Sequence, residues 1–404
     1  MVLTSQRAGT LGTGSVRTVS ILGSTGSVGT QTIDLLRANP ERYQVRALVA
    51  GGNASLLAEQ AKQLRPEMVV IADEAALPAL RAALAETKIC IAAGRAAVIE
   101  AAGLPVDWVM AAITGTAGLE PTLAAIRNGT AVALANKEAL VSAGDVFLRA
   151  ADDAEATLLP VDSEHNAIFQ ALADGNRHSL EKIVLTASGG PFRTASLAEM
   201  RDATPEGALR HPTWSMGTKI SIDSATLFNK GLEVIEAARL FDLEESEIEV
   251  LVHPQSVIHG MVCYRDGSVL AQLGAPDMRI PIAHALAWPF RLSTVSPRLD
   301  LAAIGRLEFY QPDSRKFPAL RLAREALSAG QGAACVLNAA NEIAVAAFLD
   351  RRIGFLAIAA LVEAVLDHLG APPVADIKAV LDLDAEARRI AASKLPAFAS
   401  VSAS

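Results

Sequence analysis

The clearest chemical capacity lies in Leu158-Leu159-Pro160-Val161-Asp162-Ser163-Glu164-His165-Asn166, an apolar, β-prone run ending in two carboxylates two positions apart. Residues i and i+2 of an extended chain project to the same side, so Asp162 and Glu164 could share one cation. A hard divalent ion such as Mg²⁺ or Mn²⁺ takes oxygen ligands and leaves positions open for substrate oxygens. The alternative is a pair of acids at a strand end facing water. A third carboxylate is available downstream, where the apolar stripe Leu227, Val234, Ile235, Ala238 and Phe241 marks a helix within Ser221–Phe241. Asn229, Lys230 and Glu233 fall on its opposite face as i+3 and i+4 neighbours. Periodicity alone makes that face solvated and leaves Glu236 as eligible as Glu233 for a special role. Lining a cleft instead, it would offer a cation for a phosphate and a third metal ligand.

Such groups need elements to carry them. Near the N-terminus Thr18–Leu22 reads as a strand and Gln31–Ala38 as a helix closed by Pro40, with Gly23-Ser24-Thr25-Gly26-Ser27-Val28-Gly29 between. Glycines at a strand-to-helix junction permit a tight turn and close approach of a pyrophosphate to the helix N-terminus. The lysine and hydroxyl that close a Walker-type loop are missing. The next strand, Val45–Val49, ends in Ala50-Gly51-Gly52-Asn53 without the acid that an NAD site places there for the ribose 2′-hydroxyl, which favours NADP. Further strands at 68–71, 89–92, 108–113 and 130–134 alternate with helical segments, the rhythm of a mainly parallel sheet with helices on both faces. Ligands bind at the carboxyl ends of such strands, where Thr114–Gly118 and Asn136-Lys137-Glu138 fall. Lys137 there is either a grip on a substrate oxygen or a solvated helix-start charge.

Beyond a strand at 183–187, Ser188-Gly189-Gly190-Pro191-Phe192 is either a plain turn or a nest of donors for an anion. Arg210-His211-Pro212-Thr213-Trp214-Ser215-Met216-Gly217 reads as a loop. Trp214 and Met216 serve there as a water-excluding lid or as anchors for the loop. Strands at 248–252, 257–264 and 269–273 follow, the last two joined by the hairpin signal Asp266-Gly267. His253 and His259 are expected in structural hydrogen bonds.

Composition bounds the reading. The chain has 404 residues, 51% hydrophobic and 20% charged, which implies a globular protein of two or three domains. A net charge of −8 gives no general attraction to nucleic acid or anionic membrane, so an anionic substrate must meet a local cationic site. Cys90, Cys263 and Cys335 are scattered and odd in number, which points to buried thiols in a reducing, cytoplasmic setting rather than a disulfide framework. No uninterrupted apolar run reaches the roughly 18 residues of a membrane span. Residues 1–16 read as a flexible tail without the apolar core of a secretion signal; a remnant organellar address is the other reading.

Taken together, the chain resembles the 1-deoxy-D-xylulose 5-phosphate reductoisomerase family. The likeness rests on Gly23–Gly29, Ala135-Asn136-Lys137-Glu138, Pro160–Asn166, Ser188–Phe192, His211–Gly217, Asp223-Ser224-Ala225-Thr226, Asn229–Glu233, His253–His259 and Leu337–Glu342, in that order. The resemblance implies NADPH and Mg²⁺ or Mn²⁺ (Co²⁺ as a further metal), with Asp162, Glu164 and Glu233 as metal ligands. It implies that Ser188, Ser224, Asn229 and Lys230 hold the substrate phosphate. Lys137, Ser163, Glu164 and His211 would meet the hydroxyl-bearing carbons, with Trp214 and Met216 on the lid. The cofactor would contact Ser24, Thr25, Gly26, Ser27, Val28, Gly51, Gly52, Asn53, Asn136, Lys137, Glu138 and Gly217. Relatives often carry a basic residue at or beside position 52, where this chain has Gly52. His211 is open between orientation, proton transfer and an ordinary hydrogen bond.

The implied fold is α/β: a Rossmann-like parallel sheet in 17–160, a central α+β catalytic and dimerisation domain in 161–291 and a connection in 292–318. A C-terminal helical bundle would fill 319–404. The resemblance further implies a homodimer through the central sheet, a sugar phosphate substrate and no nucleic-acid or membrane partner. A homoserine-type or semialdehyde Rossmann dehydrogenase would account for the glycines but leave the Asp162-x-Glu164 pair, Lys230 and the lid without a role, and a non-catalytic NADP sensor would account for less.

Overall fold

The computed structural model describes residues 16–172, 177–214 and 216–399, so nearly all of the tail expected at 1–16 lies outside the described residues. The chain forms two compact units: 1–139 with 147–166 and 277–297, and 140–146 with 167–276 and 298–404.

The first unit is built on seven parallel strands, β1 (Arg17–Leu22), β2 (Tyr43–Ala50), β3 (Met68–Ile71), β4 (Cys90–Ala93), β5 (Trp108–Ala111), β6 (Ala131–Leu134) and β7 (Thr157–Pro160). Their order is β4-β3-β2-β1-β5-β6-β7. The inner strands are apolar and buried on both faces, the pattern of parallel strands covered by helices. Strand order reverses between β1 and β5, and a doubly wound sheet binds its ligands in the crevice beyond the carboxyl ends at such a point. The segment 277–297 rejoins this unit. Its helix Arg279–Ala287 packs on helix Ser27–Arg37, and the buried Trp108 indole donates to Ala285 O at 3.0 Å. Arg17 donates to Leu286 O at 2.6 Å. The sequence carries no sign of this return, because the contact spans more than 170 positions.

The second unit has a four-stranded mixed sheet made of β8 (Leu180–Ala187), β9 (Ile248–Val252), β10 (Ile258–Tyr264) and β11 (Val269–Leu273), in the order β11-β10-β8-β9. β10 and β11 form the hairpin expected at Asp266-Gly267; Gly267 takes φ +88°, which a side chain would resist. Helices Ala319–Ala329, Gln331–Leu349, Ala357–Leu369 and Ile377–Lys394 form the C-terminal helical region. Among the described residues one helix, Gln331–Leu349, is long and apolar enough to cross a membrane; 78% of its apolar window is buried within the protein, as befits a core helix. The three cysteines are free thiols, but only Cys335 is buried as expected; Cys263 is half-buried and Cys90 exposed.

One local expectation is corrected and one refined. Extended chain stops at Pro160, and Ser163–Ala171 is a helix, so Glu164 lies in a first helical turn and does not alternate with Asp162 along a strand. The helix expected within Ser221–Phe241 is Phe228–Phe241; the first residue of its expected stripe, Leu227, lies just outside it with φ +62° and divides it from a second helix, Thr218–Thr226. Burial of Leu227 holds it in a conformation that its side chain disfavours.

Candidate active site

Beyond β1, Gly23 takes φ +90°, and a Cβ there would stand 2.5 Å from Ala112 O at the end of β5. A Cβ on Gly29 would stand 2.1 Å from Gly23 O, so only glycine lets the helix close on the turn. The amides of Gly23 and Ser24 donate to Val49 O at 2.9 and 2.8 Å, and the Gln60 side chain donates to Ser24 O at 2.8 Å. No side chain caps helix Ser27–Arg37 and its first turn carries no acid, which suits a pyrophosphate at its N-terminus.

At the end of β2, Gly51, Gly52 and Asn53 are exposed. Asn53 caps the following helix by accepting from Leu56 N at 3.1 Å. Asp73, beyond β3, donates its amide to Gly51 O at 2.9 Å and places Oδ2 3.5 Å from where a Gly52 Cβ would stand.

At the end of β6, Asn136 is buried and donates to Ile113 O at 2.7 Å and Gly115 O at 3.0 Å, while its carbonyl accepts from Ala139 N. This brings Thr114–Gly118 and Asn136-Lys137-Glu138 to adjacent strand ends. Lys137 opens the next helix and is no solvated charge: its Nζ lies 2.5 Å from Asp162 Oδ2, with side-chain exposures of 9% and 15%. Burial disfavours the Asp162 anion, but Lys137, then His165 and a hydrogen bond with Glu164, outweigh it and hold the carboxyl well below its ordinary range. Ser163 Oγ donates to Glu164 at 2.6 Å, and Asn166 ties the turn by donating to Pro160 O at 2.9 Å. One unit thus presents two carboxyl side chains at a strand-to-helix junction, a donor set suited to Mg²⁺ or Mn²⁺.

In the second unit the polar face of helix Phe228–Phe241 is buried rather than solvated: Lys230 is 2%, Glu233 0% and Glu236 1% exposed. Lys230 pairs with Glu233, which also accepts from Asn229 at 2.5 Å. On the other side Gly231 admits helix Ala319–Ala329, since a Cβ there would meet Ala323 at 2.8 Å. Burial alone therefore does not separate Glu233 from Glu236.

The turn after β8 uses two left-handed glycines, Gly189 and Gly190; a Cβ on Gly190 would stand 2.8 Å from Ser224 O. The turn that bears Ser188 is thereby seated on the helix that bears Ser224. His211 Nδ1 accepts from the amides of Thr213 and Trp214 at 3.2 and 2.9 Å, so its ring hydrogen lies on Nε2 and is given to Ser188 Oγ at 2.8 Å. Burial pushes the His211 pKa down, in keeping with a neutral ring. Ser188 Oγ also accepts from Gly190 N at 3.2 Å, which leaves its own hydrogen for an anion. Trp214 is half-buried, edge-on to His259 at 6.0 Å, and Gly217 is exposed at the start of the next helix. His253 and His259 bond to carbonyls, of Glu308 at 2.9 Å and Gly274 at 3.1 Å.

Asp223 had no role in the sequence reading, yet it is buried between Lys219 at 2.7 Å and the Asn341 amide at 2.8 Å. It secures the Ser224 helix to helix Gln331–Leu349. An acid one position before a candidate phosphate ligand was the available signal.

Comparison with known proteins places this geometry. Residues 19–144 match the family model for 1-deoxy-D-xylulose 5-phosphate reductoisomerase. Residues 158–241 match that of the 1-deoxy-D-xylulose 5-phosphate reductoisomerase C-terminal domain, and 273–390 that of the DXP reductoisomerase C-terminal domain. The 1-deoxy-D-xylulose 5-phosphate reductoisomerase of Gluconobacter oxydans (strain 621H) is 62% identical over 376 residues, 93% of this chain and 92% of that protein. The Zymomonas mobilis reductoisomerase, solved in complex with NADPH, superposes with a TM-score of 0.91 at 53% identity, covering 94% of this chain and 99% of that one. A DOX-P reductoisomerase solved with NADPH, fosmidomycin and magnesium gives 0.90 at 43% identity, covering 94% and 98%. The chain belongs to the 1-deoxy-D-xylulose 5-phosphate reductoisomerase family.

Proposed function

We propose that this protein converts 1-deoxy-D-xylulose 5-phosphate to 2-C-methyl-D-erythritol 4-phosphate with NADPH and Mg²⁺ or Mn²⁺, in the non-mevalonate route to isoprenoids. The observation that carries the reading is the Lys137–Asp162 pair at the ends of β6 and β7, in the same sheet whose β1 end bears the glycine turn. When bound, the ion supplies Lewis acidity at the substrate carbonyl and neighbouring hydroxyl, and the nicotinamide supplies hydride.

The chain's own residues do the rest. Asp162, Glu164 and Glu233 provide three oxygen-donor charges, enough to neutralise a dication while leaving coordination positions for substrate. Lys137 orients Asp162 and donates to substrate oxygens, and Ser163 meets the hydroxyl-bearing carbons. Ser188, Ser224, Asn229 and Lys230 hold the phosphate, remote from the reacting carbons, so that its binding energy closes Trp214 and Met216 over the site and excludes water. His211, neutral, aims the Ser188 hydroxyl. The pyrophosphate lies at Ser24, Thr25, Gly26, Ser27 and Val28, the adenosine ribose at Gly51, Gly52 and Asn53, and the nicotinamide end at Asn136, Lys137, Glu138 and Gly217.

The working form is a homodimer. β11 is an edge strand with Val269 and Leu270 53% and 47% exposed, an apolar edge that soluble chains ordinarily cover by pairing. Light scattering on purified protein tests this: a dimer that Val269→Lys converts to monomer supports it, and a monomeric wild type overturns it. The activity itself is tested by mixing protein, NADPH, substrate and metal while following NADPH absorbance and identifying the product. Loss of absorbance without 2-C-methyl-D-erythritol 4-phosphate would point to a different reductase.

A further inference from the structure

The two hydroxyls read above as phosphate ligands share one support. Ser224 sits in the last turn of helix Thr218–Thr226, and its carbonyl oxygen would stand 2.8 Å from a Cβ on Gly190, in the turn that bears Ser188. A shift of that helix therefore moves both hydroxyls. The helix has little of its own to hold it: it runs nine residues, no side chain caps its N-terminus at Gly217, and it stops at the left-handed Leu227. Helices of that length are marginal by themselves, so tertiary contacts fix its place.

Asp223, 1% exposed and one position before Ser224, supplies the polar contact. Its Oδ2 meets Lys219 Nζ at 2.7 Å, a turn earlier on the same helix, which balances charge but ties the helix only to itself. Its Oδ1 accepts from the Asn341 amide at 2.8 Å, 118 positions away on helix Gln331–Leu349. Asn341 is fully buried, and its own carbonyl oxygen finds no hydrogen-bond partner among the described residues. Such an unpaired acceptor costs free energy that an apolar residue would not, so the carboxamide is there for its donor. The donor is itself fixed. Glu342, next in the helix, accepts from Arg388 at 2.7 Å, and Arg388 is braced by Asp384 at 2.6 Å on helix Ile377–Lys394.

We propose that Asn341, through Asp223, is a positioning residue for the substrate phosphate: it sets the place of helix Thr218–Thr226 and with it the Ser224 and Ser188 hydroxyls. The inference rests on the phosphate reading given above.

The test uses inorganic phosphate as an inhibitor competing with 1-deoxy-D-xylulose 5-phosphate, with NADPH titrations alongside, for wild type, Asn341→Ala, Asp223→Ala, the double variant and Asp223→Asn. Asn341→Ala should raise the phosphate inhibition constant and the substrate KM by about three- to tenfold, change kcat less than KM, and leave the NADPH Kd within about twofold. The two residues act as a unit, so the double variant should match Asp223→Ala. Asp223→Asn keeps an acceptor for the Asn341 amide and should hold phosphate inhibition within about twofold of wild type. In the wild type, inorganic phosphate should slow amide hydrogen exchange in helix Thr218–Thr226 and around Asn341 together, a measurement that decides the matter if a variant does not fold. Unchanged phosphate inhibition in Asn341→Ala, equal losses of phosphate and NADPH binding, additive effects in the double variant, or protection that stops short of Asn341 would overturn the proposal while leaving the activity intact. Absence of competition by inorganic phosphate in the wild type would overturn the phosphate reading and this proposal with it.

Discussion

Lys137 and Asp162, 25 positions apart in sequence, meet at 2.5 Å where β6 and β7 end, and both side chains are largely withdrawn from water. A pair in that setting responds asymmetrically: removing one partner strands the other, whereas removing both is mild. Asp162→Asn should therefore cost about 3 kcal/mol of stability and lower turnover roughly a hundredfold or more. Adding Lys137→Met should recover much of the stability and none of the activity. Denaturant melts and initial rates for the two single variants and the double variant check this; additive stability losses would mean that the two residues act independently.

Glu233 is fully buried against Lys230 and Asn229. In the metal-ligand role proposed for it, Glu233 would make stability depend on the ion, because a ligand that binds only the folded state stabilises it by about 2.7 kcal/mol at a hundred times its Kd. Mn²⁺ should raise the melting temperature of the wild type and leave that of Glu233→Gln nearly unmoved. Equal shifts in both proteins would remove Glu233 from the ion.

His284 gives a pH dependence. Burial, with a smaller contribution from Arg291, pushes its pKa down to about 4, and its Nδ1 lies 3.2 Å from the Asn166 amide. The unfolded chain takes up this proton near pH 6.5 and the folded chain only near 4. The stabilising effect is thus complete above about 6.5 and is lost as pH falls towards 4, by up to about 3 kcal/mol. Wild type minus His284→Gln stability, measured by urea melts from pH 7 to pH 4, should decline across that window; a flat difference would show that the ring carries no such penalty.

Gly29→Ala would put a methyl 2.1 Å from Gly23 O. Forcing the helix off the turn should cost about 2 kcal/mol and weaken NADPH roughly tenfold or more. Unchanged NADPH binding by titration would mean that the turn is not the pyrophosphate seat.

Much of the first unit was legible because parallel strands buried on both faces read as unbroken apolar runs, and because Gly23, Gly26 and Gly29 punctuate one of them. The hairpin at Asp266-Gly267 was legible for its turn chemistry. Other features depend on tertiary packing and leave little local trace. Leu227 breaks a helix without the glycine or asparagine that usually marks a left-handed residue, and burial alone sustains it. Lys230 and Glu233 carry the pattern of a solvated face, yet both are buried. Asp73 reaches Gly52 from a neighbouring strand, and no spacing rule along one strand predicts it.

The proposed reaction needs a divalent ion and NADPH to act together on one sugar phosphate. The direct measurement is the rate of NADPH consumption with 1-deoxy-D-xylulose 5-phosphate after exhaustive chelation, and again after Mg²⁺ or Mn²⁺ is restored. Turnover is expected to be negligible without metal and to recover on its return, with 2-C-methyl-D-erythritol 4-phosphate formed one for one with NADPH consumed. Undiminished turnover in the chelated protein would contradict it.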